Sequence, residues 1–186
     1  LAAHDADELH VTAQLLPTLP ALSMDTGRGK RCTSRDLRDP AQRETLRGLA
    51  AGADVFLQGY RPGAIGAHGF APEALAALNP GIVCVSLSAF GHVGPWSTRR
   101  GFDSLTQNAN GMNDEERIAA GEAKPRPLPC QALDHASGYL LAFGAMAALL
   151  RRAEQGGSWL VRVSLAGTGE WIKRLGRVEG GLSAPG

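Results

Sequence analysis

The sequence contains few cysteines and carries almost no excess charge. Its three cysteines, at positions 32, 84 and 130, form no C-x-x-C pair. This spacing argues against a disulfide scaffold or a cysteine zinc site, and it leads us to expect a reducing cytoplasmic location. The formal net charge is only +1. Charge therefore gives no reason to expect a nucleic acid or an anionic membrane as a partner.

Long apolar runs are also absent. A membrane-spanning helix needs roughly 18 predominantly apolar residues, whereas the best candidate, residues 139–150, is shorter and contains Gly144. The opening LAAHDADELH lacks the apolar region of a signal peptide. We therefore expect no membrane association. Because the chain begins at Leu1 rather than Met, we also expect a fragment of a longer protein.

The composition is that of a globular protein, with 44% hydrophobic and 20% charged residues. Residues 1–35 contain several helix and strand breakers and are predicted to be loop-rich. Residues 36–178 form the predicted main body, and residues 179–186 a linker or frayed tail. In the main body, predicted helices alternate with short apolar strands, which indicates an α/β fold with a mainly parallel sheet. The predicted strands are 54–60, 81–90 and 159–166. The predicted helices are 39–53, 72–78, 102–111, a long helix that begins at Asp134 and is ended by QGG at 155–157, and 167–178.

Local signals support several of these elements. Asp39 is a suitable N-cap for a helix that has Pro40 in its first position, and Gly52 lies near its end. The stretch GIVCVSLSAF, residues 81–90, is rich in β-branched side chains and is predicted to be buried on both faces. The polar, proline-containing segment 113–129 is predicted to be an exposed excursion.

The stretch RPLPCQALDHASGYLLAFGAMAALLRR, residues 126–152, has Asp134 as its only acid, at the predicted beginning of a helix. Asp is a favoured N-cap because its carboxylate accepts hydrogen bonds from the first turn. The helix dipole also stabilises the ionised form, and an ionised carboxylate can act as a nucleophile towards an activated acyl group. The pattern alone is compatible with both roles.

Other catalytic motifs are incomplete. DTGRGKR, residues 25–31, resembles a phosphate loop, but Met24 occupies the position of the first glycine and no Ser or Thr follows Lys30. No G-x-G-x-x-G follows a predicted strand, no G-x-S-x-G is present, and the five histidines have no metal-ligand spacing. We therefore predict no metal site, and we expect neither a P-loop enzyme nor a serine hydrolase.

An ordered set of motifs resembles the family III CoA-transferases, also called the CaiB/BaiF group. The set comprises DLR at 36–38, the RPG loop at 61–63, LNP before a strand, S-x-x-G-x-x-G-P at 88–95, and P-x-x-x-x-D-x-x-x-G at 129–138. This group includes formyl-CoA and carnitine CoA-transferases and α-methylacyl-CoA racemase. The resemblance implies a Rossmann-like large-domain fragment with flanking helices, without the N-terminal strand and the C-terminal small domain of the family.

The resemblance also implies roles for individual residues. Asp134 matches the catalytic aspartate. Three segments match those that contact CoA, and their members are Arg35, Asp36, Leu37 and Arg38; Gly59, Tyr60 and Arg61; and Arg100, Gly101, Phe102 and Asp103. Coenzyme A or acyl-CoA would be a substrate, and no permanently bound cofactor is implied. A carboxylic acid acceptor and a homodimer, interlocked in full-length relatives, are the implied partners.

The implied reaction moves CoA from an acyl-CoA donor to an acid through a covalent aspartyl intermediate at Asp134. Racemisation is an alternative within the family, but it needs a histidine where this sequence has Phe102. A phenyl ring cannot transfer protons, so Phe102 favours transfer. A second alternative is a non-catalytic CoA-binding fragment of a truncated or split protein.

Overall fold

The computed structural model describes residues 1–13 and 20–180. The chain separates into two compact units, Leu1–Ala53 and Asp54–Gly186. The predicted tail, residues 179–186, lies mostly outside the described residues, since only residues 179 and 180 are described.

The first unit contains two parallel strands, β1 (Glu8–Thr12) and β2 (Lys30–Ser34), with helix α1 (Pro20–Thr26) between them in the chain. This differs from the expected loop-rich segment at 1–35. The strands are short and mix polar with apolar residues, so their alternation is weak in the sequence. An ion pair of 3.2 Å between Lys30 Nζ and Glu8 supports their pairing.

Helix α2 (Pro40–Ala51) completes the first unit and has the predicted ends. The Asp39 side chain accepts a hydrogen bond of 2.8 Å from the Ala41 N–H, so Asp39 is the N-cap. Pro40 occupies the first turn, where its missing N–H costs nothing, and Gly52 is the C-cap. These confirmed features depend on residues adjacent in the chain, where sequence signals are strongest.

The second unit is built on a parallel three-stranded sheet. Its strands β3 (Val55–Gln58), β4 (Val83–Ser88) and β5 (Trp159–Ser164) lie in the order β3-β4-β5, with every pairing parallel. The central strand β4 is buried on both faces, as predicted, since the adjacent residues Val83 and Cys84, which point to opposite faces, are 0% and 5% exposed. The predicted α/β class with a mainly parallel sheet is therefore confirmed.

Five helices accompany this sheet among the described residues: α3 (Pro72–Leu78), α4 (Asp103–Ala109), α5 (Met112–Ala120), α6 (Ala132–Gln155) and α7 (Leu165–Arg174). Helix α5 lies in the segment that was predicted to be an exposed excursion. Its sequence has no apolar stripe, but an i,i+3 ion pair of 2.6 Å between Arg117 and Asp114 supports the helix. The prolines of that segment all follow α5.

Helix α6 packs one of its faces against the sheet. A Cβ atom on Gly144 would lie only 2.6 Å from Val161 Cγ1 on β5, so this glycine permits close approach of helix and strand. The buried residues of α6 recur at helical spacing: Leu133, Ser137, Leu141, Ala145 and Ala148. On the opposite side Tyr139, Phe143 and Leu150 are exposed.

By length and composition α6 could cross a membrane, which the sequence analysis did not expect. It has 24 residues, and an 18-residue window within it has a mean hydropathy of 1.3. Of that window, 28% is buried inside the protein. The sequence criterion counted uninterrupted apolar residues, whereas this window includes polar side chains. Such a helix also occurs in the core of an α/β fold, and α6 contacts both β4 and β5.

Candidate active site

Asp134 lies in the first turn of α6 rather than at its N-cap. The helix begins at Ala132 and its N-cap residue, Gln131, makes no side-chain capping hydrogen bond. The N-cap interpretation of Asp134 is therefore wrong. The first turn of a helix still has backbone N–H groups without partners inside the helix, and in α6 one of these groups is satisfied by a residue from elsewhere in the chain.

That residue is Asp103, the first residue of α4. Its Oδ2 atom accepts a hydrogen bond of 2.8 Å from the backbone N–H of Asp134, 31 residues away. The Asp103 side chain is completely buried, at 0% exposure. A buried carboxylate needs hydrogen-bond donors to offset its lost hydration, and the beginnings of α4 and α6 both favour a negative charge. Asp103 thus anchors the start of α6.

Gln107, one turn further along α4, completes this network. Its Nε2 atom donates a hydrogen bond to Asp103 Oδ1. Its Oε1 atom accepts from the Leu128 N–H at 3.2 Å, and Nε2 also lies 3.3 Å from the Cys130 carbonyl oxygen. Gln107 is 2% exposed. The loop that leads into α6 is therefore attached to α4 by hydrogen bonds to both the oxygen and the nitrogen of the Gln107 side-chain amide.

A second contact fixes the other side of the same helical turns. Ser137 Oγ on α6 and Thr168 Oγ1 on α7 form a buried hydrogen bond of 2.8 Å. Leu133, which precedes Asp134, is 0% exposed and packs with Met112 and Leu165 in one apolar cluster. The backbone around Asp134 is thus held by α4, by α7 and by core packing.

The Asp134 side chain itself is exposed, and its carboxylate oxygens accept no hydrogen bond from any residue in the described parts of the chain. Partial burial of the carboxyl group raises its pKa above the usual value for an aspartate. The negative charge of Asp103 raises the pKa further, and His135 opposes both effects. The site therefore presents an open carboxylate that is less stabilised in its ionised form than an ordinary surface aspartate.

The segment Arg100–Asp103 passes close to the end of β4. A Cβ atom on Gly101 would lie 2.6 Å from Ala89 Cβ and 2.9 Å from Phe90 Cε2, so glycine is required here for packing. Arg100 is exposed, and Phe102 is 79% exposed. Of this predicted CoA-contacting group, Asp103 alone points into the protein, where its oxygens are occupied by Asp134 and Gln107.

The second predicted CoA-contacting segment, Gly59–Arg61, directly follows β3. All three of its residues are exposed. The Tyr60 N–H donates a hydrogen bond of 2.7 Å to the Oε1 atom of Gln58, the last residue of that strand. The segment therefore lies at the carboxyl edge of the parallel sheet, where open α/β folds bind ligands.

The third segment, Arg35–Arg38, belongs to the first unit. Arg38 forms a bidentate ion pair with Asp36, with an Nη2–Oδ2 distance of 2.7 Å. Arg35 Nη1 donates to the Ser34 carbonyl oxygen at 2.7 Å, and the Leu37 carbonyl oxygen accepts from Arg43 at 3.0 Å. These contacts shape a turn after β2, with both arginines partly or fully exposed to solvent.

Sequence reasoning selected Asp103 and Asp134 separately, and the structure brings them together. It missed Gln107, Ser137 and Thr168, which hold the site. The i,i+4 spacing of Asp103 and Gln107 on a short helix was an available signal, whereas the pairing of Ser137 with Thr168 has no local signature. Within residues 1–13 and 20–180, no three His, Cys, Asp or Glu side chains cluster as metal ligands.

Comparison with known proteins identifies the family. The sequence profile of CoA-transferase family III matches residues 8–174. The chain belongs to CoA-transferase family III. The probable fatty acyl-CoA transferase Rv3272 of Mycobacterium tuberculosis is 34% identical over 149 residues, covering 80% of this chain and 37% of that protein. The succinyl-CoA–D-citramalate CoA-transferase of Chloroflexus aurantiacus is 29% identical over 140 residues, covering 74% of this chain and 34% of that protein.

Solved structures of family III proteins share the fold. The crystal structure of an aspartate-to-alanine mutant of Rv3272 superposes with a TM-score of 0.81 at 30% identity, covering 98% of this chain and 53% of that one. A CaiB/BaiF family protein from Brucella suis gives a TM-score of 0.77 at 25% identity, covering 91% of this chain and 50% of that one. This family III chain thus spans about half the length of these solved chains and about a third of the curated relatives above.

Proposed function

We propose that Asp134 is the acyl-accepting carboxylate of a CoA-transferase, which moves CoA from an acyl-CoA donor to a carboxylic acid. One observation carries this proposal. Asp134 presents an open carboxylate from a helical turn whose backbone is fixed by the buried carboxylate of Asp103. A nucleophile must be positioned by the protein and still be accessible to its substrate. The fixed backbone and open carboxylate of Asp134 support this role.

The first half of the proposed reaction loads CoA onto the protein. An Asp134 carboxylate oxygen attacks the thioester carbonyl, the C–S bond breaks, and a mixed anhydride and CoA thiolate result. The thiolate then attacks the aspartyl carbonyl of the anhydride. This step gives an aspartyl-CoA thioester and releases the donor acid as its carboxylate. An acceptor carboxylate repeats the two steps in reverse and leaves as its CoA thioester, which regenerates the Asp134 carboxylate.

The environment of Asp134 supports nucleophilic attack. Its raised pKa makes the carboxylate more basic than that of a fully hydrated aspartate, and basicity favours nucleophilicity. The beginning of α6 supplies partial positive charge, which can stabilise the anions that form during attack. Asp103 acts here as a positioning residue, because its oxygens bind the Asp134 backbone and Gln107 rather than facing solvent.

Coenzyme A is the proposed substrate for the surface that carries the predicted contact residues. In the second unit, Arg61 and Arg100 could bind its phosphate groups, since guanidinium groups form charge-assisted bonds to phosphate. Arg35 and Arg38 of the first unit are proposed as CoA contacts on the motif resemblance alone. The side chains of Arg61 and Arg100 are exposed and make no ion pair within the described parts of the chain. A homodimer, a cytoplasmic location and a carboxylic acid acceptor complete the proposal.

Racemisation receives no support from the site. The side chain before Asp103 is Phe102, which is 79% exposed and has no exchangeable proton on its ring. The alternative that differs in class is a CoA-binding fragment without catalytic turnover, and it can be separated from the transferase by experiment.

The test is intact-mass spectrometry after incubation with a panel of acyl-CoAs. We expect the wild-type chain to gain a covalent CoA or acyl group that hydroxylamine releases, and Asp134→Asn to gain none. Asp114→Asn is the matched control, because Asp114 is also an exposed acid in the first turn of a helix. An adduct that persists in Asp134→Asn would contradict the assignment of the nucleophile. CoA binding without any adduct would favour the non-catalytic fragment.

A further inference from the structure

A group of polar side chains lies on one face of the three-stranded sheet, away from Asp134 in the chain. Gln58 on β3 and Ser86 on β4 are paired in register, and Ser86 is in turn paired with Arg162 on β5. Registered neighbours in a parallel sheet point to the same face, so these three form a polar row across the sheet. Ser86 is only 7% exposed.

His92, in the loop after β4, folds back onto this row. Its Nε2 atom lies 2.9 Å from Ser86 Oγ. Ser86 Oγ also accepts a hydrogen bond from Gln58 Nε2. The Oε1 atom of the same Gln58 amide accepts the Tyr60 N–H at 2.7 Å. A continuous chain of hydrogen bonds therefore runs from the His92 ring to the backbone of the Gly59–Arg61 segment.

The other ring nitrogen of His92 is also engaged. Nδ1 lies 3.4 Å from Ser88 Oγ, which accepts a bond of 3.1 Å from the Gly91 N–H. Gly91 has a φ of 91°, a conformation that glycine adopts without strain. Ser88 is 4% exposed. The imidazole ring is thus fixed on both sides by buried hydroxyl groups of β4.

The charge state of the ring suits these partners. Burial lowers the pKa of His92, and the positive charge of Arg162 lowers it further. A neutral imidazole has one donor and one acceptor nitrogen. Hydroxyl groups can donate or accept, so the neutral ring can satisfy both Ser86 and Ser88. A hydrogen-bonded chain of this kind holds its members in one arrangement.

We propose that His92 is a positioning residue for CoA binding, which acts through Ser86 and Gln58 to hold the Tyr60 amide and the exposed Gly59–Arg61 segment. This inference rests on the proposed function, because it takes that segment to contact CoA. Loss of the ring would leave Ser86 and the Gln58 amide free to adopt other rotamers. The segment would then lose its order before binding, and CoA would have to restore it.

The experiment compares His92→Leu and Ser86→Ala with the wild-type chain. Hydrogen exchange of the Tyr60 amide reports on the segment, and calorimetric titration with CoA gives the dissociation constant. We expect faster exchange of the Tyr60 amide and a roughly tenfold weaker affinity in both variants, as for the loss of one buried hydrogen bond. His92→Gln, whose amide can both donate and accept, should restore most of the affinity. Ser104→Ala, at an exposed serine of α4, is the control.

Three outcomes would overturn the proposal. Unchanged Tyr60 exchange in His92→Leu would show that the hydrogen-bond chain does not hold the segment. Faster exchange with unchanged CoA affinity would show that the segment's order does not matter for binding. A wild-type chain that binds no CoA would refute the proposed function itself, and the exchange data would still report whether His92 holds Tyr60. If His92→Leu does not fold, as judged by circular dichroism, His92→Gln and Ser86→Ala provide the same comparison.

Discussion

Asp103 is completely buried and both its carboxylate oxygens accept hydrogen bonds, whereas Asp134 is exposed and its carboxylate accepts none from the described residues. Both acids lie in the first turn of a helix. The same residue type in a first helical turn therefore meets two different environments. Asp103 satisfies the backbone of α6, and Asp134, the proposed nucleophile, presents an open carboxylate. Burial and hydrogen-bond partners distinguish the two acids, since both belong to a first turn.

The largest effect on stability is expected for Asp103→Ala. This change leaves the Asp134 N–H and the Gln107 amide without their buried acceptor, and each lost partner costs about 1–3 kcal/mol. We expect the free energy of unfolding, measured in urea, to fall by about 3 kcal/mol. Asp114→Ala, at an exposed acid that forms an ion pair with Arg117, should change it by less than about 1 kcal/mol. Equal effects of the two substitutions would contradict the role given to Asp103.

A smaller loss is expected for Gln107→Met. Methionine has a similar shape but cannot replace the hydrogen bonds to Asp103, Leu128 and Cys130. We expect the free energy of unfolding to fall by about 2 kcal/mol. Asn108→Met on the same helix is the control, because Asn108 is exposed and its side chain donates a hydrogen bond to the Ser104 carbonyl oxygen one turn earlier. If both variants unfold at the same denaturant concentration, Gln107 does not hold the loop before α6.

The smallest effect on stability is expected for Asp134→Asn, and its sign depends on pH. The folded chain raises the pKa of Asp134, so the folded state binds this proton more tightly than the unfolded state does. The stabilisation of the folded state by this bound proton is fully present below the pKa of Asp134 in the unfolded chain, about 3.9. It is lost as the pH rises through the pKa of Asp134 in the folded chain. The asparagine of Asp134→Asn does not titrate, so the stability of this variant lacks that dependence on pH.

Unfolding curves between acidic and neutral pH check this expectation. Relative to wild type, Asp134→Asn should gain stability as the pH rises. A relative loss over the same range would mean that the ionised carboxylate stabilises the fold, as it would in an N-cap.

Much of the fold could be predicted because its signals are local. Asp39, Pro40 and Gly52 mark the ends of α2, and the β-branched run of β4 marks a strand buried on both faces. The strands β1 and β2 were missed because each is short, mixes polar with apolar residues and is stabilised by its partner. Helix α5 was missed because it has no apolar stripe.

The candidate site was predictable only in part. The motif resemblance selected Asp134 and Asp103, but the N-cap interpretation of Asp134 assumed that an acid near a helix start caps that helix. The cap on the Asp134 amide comes instead from a residue 31 positions earlier. Contacts at this separation leave no periodic pattern in the sequence. The hydrogen bonds from His92 to Tyr60 were undetectable for the same reason, because they run through two strands.

The different roles given to Asp103 and Asp134 are tested most directly by finding which of the two aspartates becomes acylated. The wild-type chain is incubated with acyl-CoA, treated with hydroxylamine, and digested for peptide mapping, so that an aspartyl thioester or anhydride is converted to a hydroxamate at its own position. We expect a hydroxamate at Asp134 and an unmodified Asp103. A hydroxamate at Asp103, or modification of neither residue in a chain that binds CoA, would contradict the assignment of Asp134 as nucleophile and Asp103 as its anchor.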